Sequence, residues 1–295
     1  MFRVLAVVLA LTAAPLAAAP PEKVSIPAGE HSSAPRPLEG YLYLPEGKAR
    51  SRRPAVVMMH GCGGPFGRDG APNARHRMWG DYLASQGYAA LLVDGFTPRG
   101  LREICTQKLA ERPIRERDRV GDAFAALEWL GRRDDVDAAR MALLGWSHGG
   151  GTVLAALGRL APRKPLAAAV VSFYPGCTAR AKEAGKFRAV VPVLLLIGEA
   201  DDWTPAAPCK SLAEAVAARG EPMQIVTYPG AYHDFDHPGL RAKRVRREVP
   251  NGVKPGEGVT TAPDPVARED AKVRVRDFLE RHLRPRELAA EASPG

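Results

Sequence analysis

The sequence predicts an α/β fold in which a mostly parallel central sheet carries helices on both faces. Apolar segments of strand length alternate along the chain with segments that have the apolar spacing of helices. Several of the apolar segments are continuous over the length of a strand, as strands buried on both faces of a parallel sheet are. With 295 residues, of which 45% are hydrophobic, the chain is long enough for one large domain of this class.

The predicted elements begin with an alternating strand, which we expect to pair antiparallel with its neighbour. A strand is also predicted immediately before the Gly-x-Ser-x-Gly motif, and a helix immediately after it. The alternating strand covers residues 39–45. The other predicted strands cover residues 54–60, 88–94, 166–173, 191–197 and 223–229. The other predicted helices cover residues 75–86, 114–133, 206–219 and 264–283.

The two ends of the chain are predicted to lie outside the folded domain. Residues 1–19 combine a basic start, an uncharged apolar segment and small residues before Pro20, which is the pattern of a secretory signal peptide. The apolar segment is shorter than the roughly 20 residues of a membrane-spanning helix. We therefore expect an exported protein, periplasmic or secreted, with no stable membrane anchor after cleavage. The remaining predicted regions are a Pro-rich arm at 20–37, a single α/β domain at 38–285 and a disordered tail at 286–295.

The four cysteines are predicted to form two disulfides, because an exported chain meets an oxidising compartment. Four cysteines allow three pairings. Cys177 and Cys209 lie in loops that leave neighbouring predicted strands, which favours a bond between them and leaves Cys62 with Cys105. The absence of a Cys-x-x-Cys spacing argues against a structural zinc site or a redox-active pair.

The formal net charge of the chain is +9. A basic exported protein can approach anionic surfaces or acidic substrates. The densest basic segment, residues 241–247, contains no interleaved aromatic residues on which nucleic-acid bases could stack. We therefore expect no nucleic-acid partner and interpret this segment as a solvated loop.

A Gly-x-Ser-x-Gly motif, from Gly145 to Gly149, separates a predicted strand from a predicted helix. A tight turn here requires small residues, because a Cβ would come too close to neighbouring backbone. The turn would lift the Ser147 hydroxyl out of the sheet and place the His148 amide at the positive end of the helix, where an oxyanion is stabilised. The motif alone is weak, because a Gly-rich helix start with Ser147 near the N-cap has the same residues.

Two further residues follow predicted strands in the order that a Ser-Asp-His triad requires. A serine hydroxyl is a poor nucleophile unless an imidazole takes its proton, and the imidazole needs a carboxylate to hold its tautomer. Ser147, Asp201 and His233 are therefore predicted as the catalytic residues. Asp202 is the alternative carboxylate, but the spacing from Gly198 favours Asp201 and leaves Asp202 to cap the loop.

The loop after strand 54–60 is predicted to supply a second oxyanion donor, with the backbone N–H of Cys62 facing that of His148. We interpret His60, at the start of this loop, as a packing residue. His233 and His237 do not share a helical face and have no further ligand cluster nearby in the sequence, so we predict no metal site and no cofactor.

In these motifs the chain resembles the dienelactone hydrolase family of the α/β-hydrolase superfamily. The segments that carry the resemblance are residues 60–64, 94–100, 145–150, 198–205 and 233–235. The resemblance covers residues 38 to 283 and implies an α/β-hydrolase fold and a hydrolytic activity. Enzymes of the family that open dienelactones carry a cysteine nucleophile, whereas this chain has Ser147. This departure moves the expected substrate from a lactone toward a general carboxylic ester.

We therefore expect a serine hydrolase that cleaves a small-molecule carboxylic ester, or a lactone, through an acyl-enzyme. The alternatives are a serine peptidase or amidase of the same fold, and a non-catalytic exported protein that docks on an anionic surface. Arg99 is a candidate to bind a substrate carboxylate, although a loop-bracing role is as well supported. The candidates for the pocket wall, each equally compatible with a place in the core, are Trp146, Trp203 and Phe235.

Overall fold

The computed structural model describes residues 20–28, 32–47, 51–160 and 166–283. Strands and helices alternate along most of this length. The strands are β1 (Glu22–Ile26), β2 (Leu38–Tyr43), β3 (Arg53–Met59), β4 (Ala89–Asp94), β5 (Val136–Trp146), β6 (Ala169–Phe173), β7 (Val193–Gly198), β8 (Met223–Tyr228), β9 (Arg244–Arg246) and β10 (Val259–Thr261). The α-helices are α1 (Ala74–Ser85), α2 (Val120–Gly131), α3 (His148–Ala156), α4 (Thr178–Lys182), α5 (Ala206–Ala217) and α6 (Pro265–His282). Short 3₁₀ helices cover Thr97–Arg99, Leu109–Glu111, Glu116–Arg119 and Leu157–Arg159.

Eight of the strands form one sheet in the order β1-β2-β4-β3-β5-β6-β7-β8. The first two strands run antiparallel to their neighbours, and all the pairings from β4 through β8 are parallel. Parallel strands place their carboxyl ends at the same edge of a sheet. The loops that follow β3, β5, β7 and β8 therefore meet at one edge, and the predicted fold class is confirmed.

The sheet is covered by helices on both faces. Every residue of β4, β6 and β7 is buried, which requires cover on each side. Helices α1 and α6 are joined by the Tyr82 hydroxyl, which donates to the Lys272 carbonyl over 3.0 Å. Helices α2 and α3 contact each other and β5. The uninterrupted apolar segments in the sequence therefore correspond to strands buried from two sides.

The prediction that residues 20–37 form only a Pro-rich arm is wrong, because this segment contains β1. The strand lies at the edge of the main sheet and pairs with β2. Its alternate residues Val24 and Ile26 are buried, at 8% and 0% exposure, while the residues between them face solvent. The alternation extends over only a few residues, too short to stand out in the sequence. The folded domain therefore begins at residue 22 rather than at 38.

The two other terminal predictions, the signal peptide at 1–19 and the tail at 286–295, lie outside the described residues. The cysteines do bear on export. Cys62 is bonded to Cys105, and Cys177 to Cys209, which are the pairs that the strand neighbours favour. Two disulfides are consistent with an exported protein.

No helix within the described residues is both long enough and apolar enough to span a membrane.

Strands β9 and β10 form a small antiparallel ribbon beside the carboxyl edge of the sheet. The basic segment 241–247, predicted as a solvated loop, contributes β9, and the three residues of that strand are exposed or half-buried. The Arg246 guanidinium lies 5.2 Å from the centroid of the Trp203 ring, and the Lys243 ammonium contacts Tyr232. Aromatic residues distant in sequence therefore order a segment whose own residues suggest only a charged loop.

Candidate active site

The Gly-x-Ser-x-Gly motif forms a sharp turn between β5 and α3, as predicted. Ser147 lies at its tip with φ 53° and ψ −116°, a conformation that non-glycine residues rarely adopt. A Cβ on Gly145 would lie 2.2 Å from the Gly149 carbonyl oxygen, and one on Gly149 would lie 2.0 Å from the Met59 carbonyl oxygen. Only glycine fits these two positions, because the turn passes directly over the end of β3.

Ser147 opens onto a cavity of about 980 Å³ at the carboxyl edge of the sheet. The serine is half-buried, and its backbone N–H donates to the Phe173 carbonyl over 2.9 Å, which holds the turn against β6. Cys62, His148 and Trp203 also line the cavity. The nucleophile predicted from the sequence therefore faces a space large enough for a small-molecule substrate.

Asp201 and His233 form a buried pair at the ends of β7 and β8. The His233 Nδ1 lies 2.7 Å from the Asp201 Oδ2, and the two residues are 1% and 4% exposed. The second carboxylate oxygen, Oδ1, accepts the backbone N–H groups of Trp203 and Thr204 at 2.9 and 2.8 Å. With Nδ1 donating to this carboxylate, the proton-accepting nitrogen of a neutral His233 is Nε2.

The Asp201 carboxylate changes the basicity of the imidazole. Burial by itself disfavours the charged ring, but the charge and hydrogen bond of Asp201 outweigh it, so the pKa of His233 is raised above its usual value. Aromatic rings enclose the imidazole, with centroid distances of 4.4 Å to Tyr174 and 4.6 Å to Trp203. His233 is therefore held in one orientation and one tautomer.

No hydrogen bond joins the Ser147 hydroxyl to His233 within the described residues. The structure thus brings Asp201 into contact with His233 and places Ser147 on the adjoining cavity. Catalytic hydrogen bonds between nucleophile and base are commonly long in the absence of substrate and tighten when it binds.

The two candidate oxyanion donors lie on loops that touch each other. Cys62 follows β3, and a Cβ on the preceding Gly61 would lie 3.3 Å from the Trp146 carbonyl at the end of β5. The Cys62 amide donates to no acceptor within the described residues. His148 is the first residue of α3, where backbone N–H groups lack acceptors in their own helix. The bond from Cys62 to Cys105 and the hydrogen bond from the Ile104 amide to the Cys62 carbonyl, at 2.8 Å, brace this loop.

Asp202, the alternative carboxylate, faces away from His233. Its two oxygens accept the backbone N–H and the hydroxyl of Thr260, at 2.7 and 2.6 Å. Asp202 therefore anchors β10 beside the site, and the neighbouring residue Thr261 pairs with His233.

Of the aromatic residues predicted for the pocket wall, only Trp203 lines the cavity. Trp146 and Phe235 are fully buried. The Trp146 ring stacks on Phe173 at a centroid distance of 5.9 Å, and Phe235 packs against Tyr228 at 4.9 Å. The structure therefore places Trp146 and Phe235 in the core beneath the site.

Arg99 does not reach the cavity either. Its guanidinium makes two hydrogen bonds to the Asp122 carboxylate, at 2.8 and 2.9 Å, and a third to the Gly95 carbonyl at 2.6 Å. These contacts occupy the donors that a substrate carboxylate would need. Arg99 is a loop-bracing residue, and its partner Asp122 lies 23 positions along the chain, where no sequence pattern relates the two.

A buried polar network beneath His233 was not predicted. Asp236 is fully buried and accepts hydrogen bonds from the indoles of Trp79 and Trp146, at 2.8 and 2.9 Å, and from the Tyr174 hydroxyl at 2.6 Å. The network ties the loop of His233 to the strand end that carries Ser147. The His-Asp-Phe-Asp-His segment is the sequence signal that could have indicated it. Among the described residues, no group of three or more His, Cys, Asp or Glu side chains could hold a metal ion.

The arginines of the cavity wall were also not predicted. Arg112, Arg115 and Arg117 come from the segment between β4 and α2, while Arg180 and Lys182 belong to α4. In the sequence these five basic residues look like scattered surface charges. In the folded protein they all line one cavity.

Comparison with known proteins places the chain among related sequences. An uncharacterized protein of Mycobacterium tuberculosis is 33% identical over 134 residues, which are 40% of this chain and 47% of that protein. The chain thus spans about half the length of the curated relatives it matches first.

Solved structures share the fold. A Klebsiella pneumoniae protein whose name assigns it to the dienelactone hydrolases has a TM-score of 0.66 and 19% identity, over 88% of this chain and 97% of that one. The thermophilic esterase Est2 of Thermogutta terrifontis, with propionate bound, has a TM-score of 0.60 and 21% identity, over 90% and 96% of the two chains. At these identities the likeness shows the fold alone.

The family is shown by sequence. A sequence model of the dienelactone hydrolase family matches residues 38–283, which include the turn at Ser147, the loop of Cys62 and the Asp201–His233 pair. The match therefore covers every strand from β2 to β10. The protein belongs to the dienelactone hydrolase family, within the α/β-hydrolase fold.

Proposed function

We propose that the protein is an exported serine hydrolase that cleaves a carboxylic ester or lactone of a small molecule through an acyl-enzyme. The observation that carries the proposal is the position of Ser147, strained at the tip of a sharp turn and open to the same cavity as Cys62 and His148. The buried Asp201–His233 pair supports it with a base of fixed tautomer. The two disulfides support export.

In the proposed mechanism, Nε2 of His233 takes the proton of the Ser147 hydroxyl as the oxygen attacks the ester carbonyl. Asp201 keeps the proton on Nδ1 and stabilises the imidazolium that forms. The amides of Cys62 and His148 donate to the carbonyl oxygen when it becomes negatively charged. His233 then protonates the leaving alcohol, and a water molecule deprotonated by the same ring releases the acid from the acyl-enzyme.

Covalent labelling tests this proposal. A fluorophosphonate reacts with an activated serine and not with an ordinary surface hydroxyl. We expect one equivalent to attach to the peptide that contains Ser147, and hydrolysis of p-nitrophenyl butyrate to fall in proportion to labelling, as measured by mass spectrometry and absorbance. Labelling of a different residue, or full activity in the fully labelled protein, would contradict the proposal. Prior incubation with the ester should slow the labelling, because both compete for one hydroxyl.

We also propose that the substrate carries a negative charge away from the scissile bond. Five cationic side chains line the cavity, against the carboxylates of Glu116 and Glu183. Glu116 is already paired with Arg180 at 2.7 Å. Arg112 has no ion pair with a described carboxylate, and its Nε is buried without a hydrogen-bond partner. An anionic substrate group in the cavity would supply the counter-charge that Arg112 lacks.

Replacing Arg112 by glutamine is expected to lower kcat/KM for an anionic half-ester, mono-p-nitrophenyl glutarate, by about 10- to 100-fold, the loss that one hydrogen bond to a charged group produces. The value for neutral p-nitrophenyl butyrate should stay within about twofold. Steady-state kinetics on both esters measure the difference. Arg281→Gln, a change on α6 away from the cavity, is the matched control. An equal loss for the two esters would rule out charge recognition by Arg112.

A further inference from the structure

Arg119 lies between the two loops that carry the candidate oxyanion amides. It ends the short helix Glu116–Arg119, and none of its side chain is exposed. Its Nη1 donates to the His60 carbonyl over 2.8 Å and lies 3.1 Å from the Nδ1 of the His148 ring. His60 precedes Cys62 by two residues, and His148 itself bears the other amide. One guanidinium nitrogen therefore links the backbone of the Cys62 loop to the side chain of the residue that bears the other amide.

Arg119 forms no ion pair with a carboxylate of the described residues, although the charges of Asp122, Asp94 and Glu116 act on it from farther away. Asp122, three residues further along the chain and the carboxylate whose charge acts most strongly on Arg119, is engaged by both terminal nitrogens of Arg99. Nε and Nη2 of Arg119 are buried without hydrogen-bond partners, and the guanidinium lies over the Phe96 ring at 4.9 Å. Burial lowers the pKa of Arg119 to about 10, so the side chain is still a cation at neutral pH. A buried charge of this kind is costly to maintain.

The neighbouring ring of His148 adds no second charge. Its Nδ1 accepts a hydrogen bond from Arg119, so the proton of the neutral ring is on Nε2. Burial, and then the charge of Arg119, hold the pKa of His148 well below its usual value. Of the two side chains in this contact, only Arg119 is therefore charged.

We propose that Arg119 is a positioning residue of the oxyanion hole, and that its buried charge gains a partner when the substrate oxygen becomes negative. This inference rests on the proposed serine hydrolase function. A neutral ester gives Arg119 no counter-charge, whereas the tetrahedral intermediate does, so the interaction stabilises the transition state more than the bound substrate. Its loss should therefore lower kcat more than it raises KM.

Arg119→Met tests the proposal with steady-state kinetics on p-nitrophenyl butyrate. We expect kcat to fall by roughly 100-fold, comparable to losing an oxyanion donor, with KM within about threefold of the wild-type value. Arg119→Lys retains the charge and should recover part of the lost kcat. Affinity for a trifluoromethyl ketone, which forms a negatively charged tetrahedral adduct on serine, should weaken in parallel with kcat.

Leu130→Ala is the control for lost stability. Leu130 is fully buried at the other end of α2, so its truncation lowers the melting temperature without touching either loop. The proposal is overturned if Arg119→Met keeps kcat within threefold, if it raises KM alone, or if Leu130→Ala loses as much kcat at a similar melting temperature.

A second variant covers the case in which Arg119→Met does not fold. His148→Ala removes the ring that Arg119 holds but keeps the backbone amide, and we expect kcat to fall by about tenfold. An unchanged kcat in that variant would also overturn the proposal. The proposed function fails separately, if the wild-type protein has no esterase activity or if Ser147→Ala keeps it. If the wild-type activity depends on Ser147, and Arg119→Met has the same kcat as the wild-type protein, then only the inference about Arg119 is wrong.

Discussion

Replacing Ser147 by alanine is expected to lower kcat for p-nitrophenyl butyrate by about 10⁶-fold, the size of effect that removing a serine nucleophile produces. The expectation follows from the position of the hydroxyl, which is the nucleophilic group that the turn presents to the cavity. Alanine fits the same backbone without a new contact, so the melting temperature should stay close to that of the wild-type protein. Initial rates with purified protein, together with thermal unfolding, measure both quantities.

Ser211→Ala is the matched control, because Ser211 is exposed on α5 and lies outside the cavity wall. Its rate should equal that of the wild-type protein. If Ser147→Ala and Ser211→Ala hydrolyse the ester equally well, Ser147 is not the nucleophile and the serine hydrolase proposal is wrong.

Replacing Asp201 by asparagine is expected to lower kcat by about 10⁴-fold. An asparagine amide that donates to His233 Nδ1 would move the ring proton to Nε2, and the ring could then no longer accept the serine proton. Asp202→Asn provides a direct comparison, since the same chemical change one residue later disturbs only the anchor to Thr260. We expect Asp202→Asn to keep kcat within about tenfold and to lower the melting temperature. Equal losses in the two variants would contradict the role proposed for Asp201.

The pH dependence of kcat/KM should follow His233. The base must be neutral, so activity is expected to fall as the pH drops through the pKa of His233, which lies above its usual value. In Asp201→Asn the carboxylate that raises this pKa is gone while burial still lowers it. The fall of the residual kcat/KM at acid pH should therefore occur at a lower pH than in the wild-type protein. A fall at a higher pH, or at the same pH, would show that Asp201 does not set the basicity of the ring.

Much of the fold could be predicted because its signals are local. Strands such as β4 and β7 are uninterrupted apolar segments, and their sequence alone indicates two-sided burial. The turn at Ser147 was predictable because its glycine spacing is itself a local pattern, although the contact that excludes a Cβ at Gly149 is with β3. The edge strand β1 was missed because a short alternating segment on the border of a sheet carries a weak signal.

Side-chain destinations were less predictable than backbone elements. Trp146 and Trp203 both lie within two positions of a candidate catalytic residue, yet Trp146 lies in the core and Trp203 lines the cavity. Arg99 and Arg119 both lie in the segment between β4 and α2. Only the packing decides that Arg99 binds Asp122, whereas Arg119 contacts the loop of Cys62 and the ring of His148. No spacing rule relates such partners.

By itself, the sequence determined the fold class, the turn that exposes Ser147, and the order in which Asp201 and His233 follow their strands. These depend on the period of apolar residues and on contacts between near neighbours in the chain. Only the tertiary structure decided that Asp236 lies beneath the site, that arginines from two separate segments line the cavity, and that Arg119 is buried with two nitrogens lacking hydrogen-bond partners. Each of these depends on residues tens of positions apart that meet only when the sheet and its helices have packed.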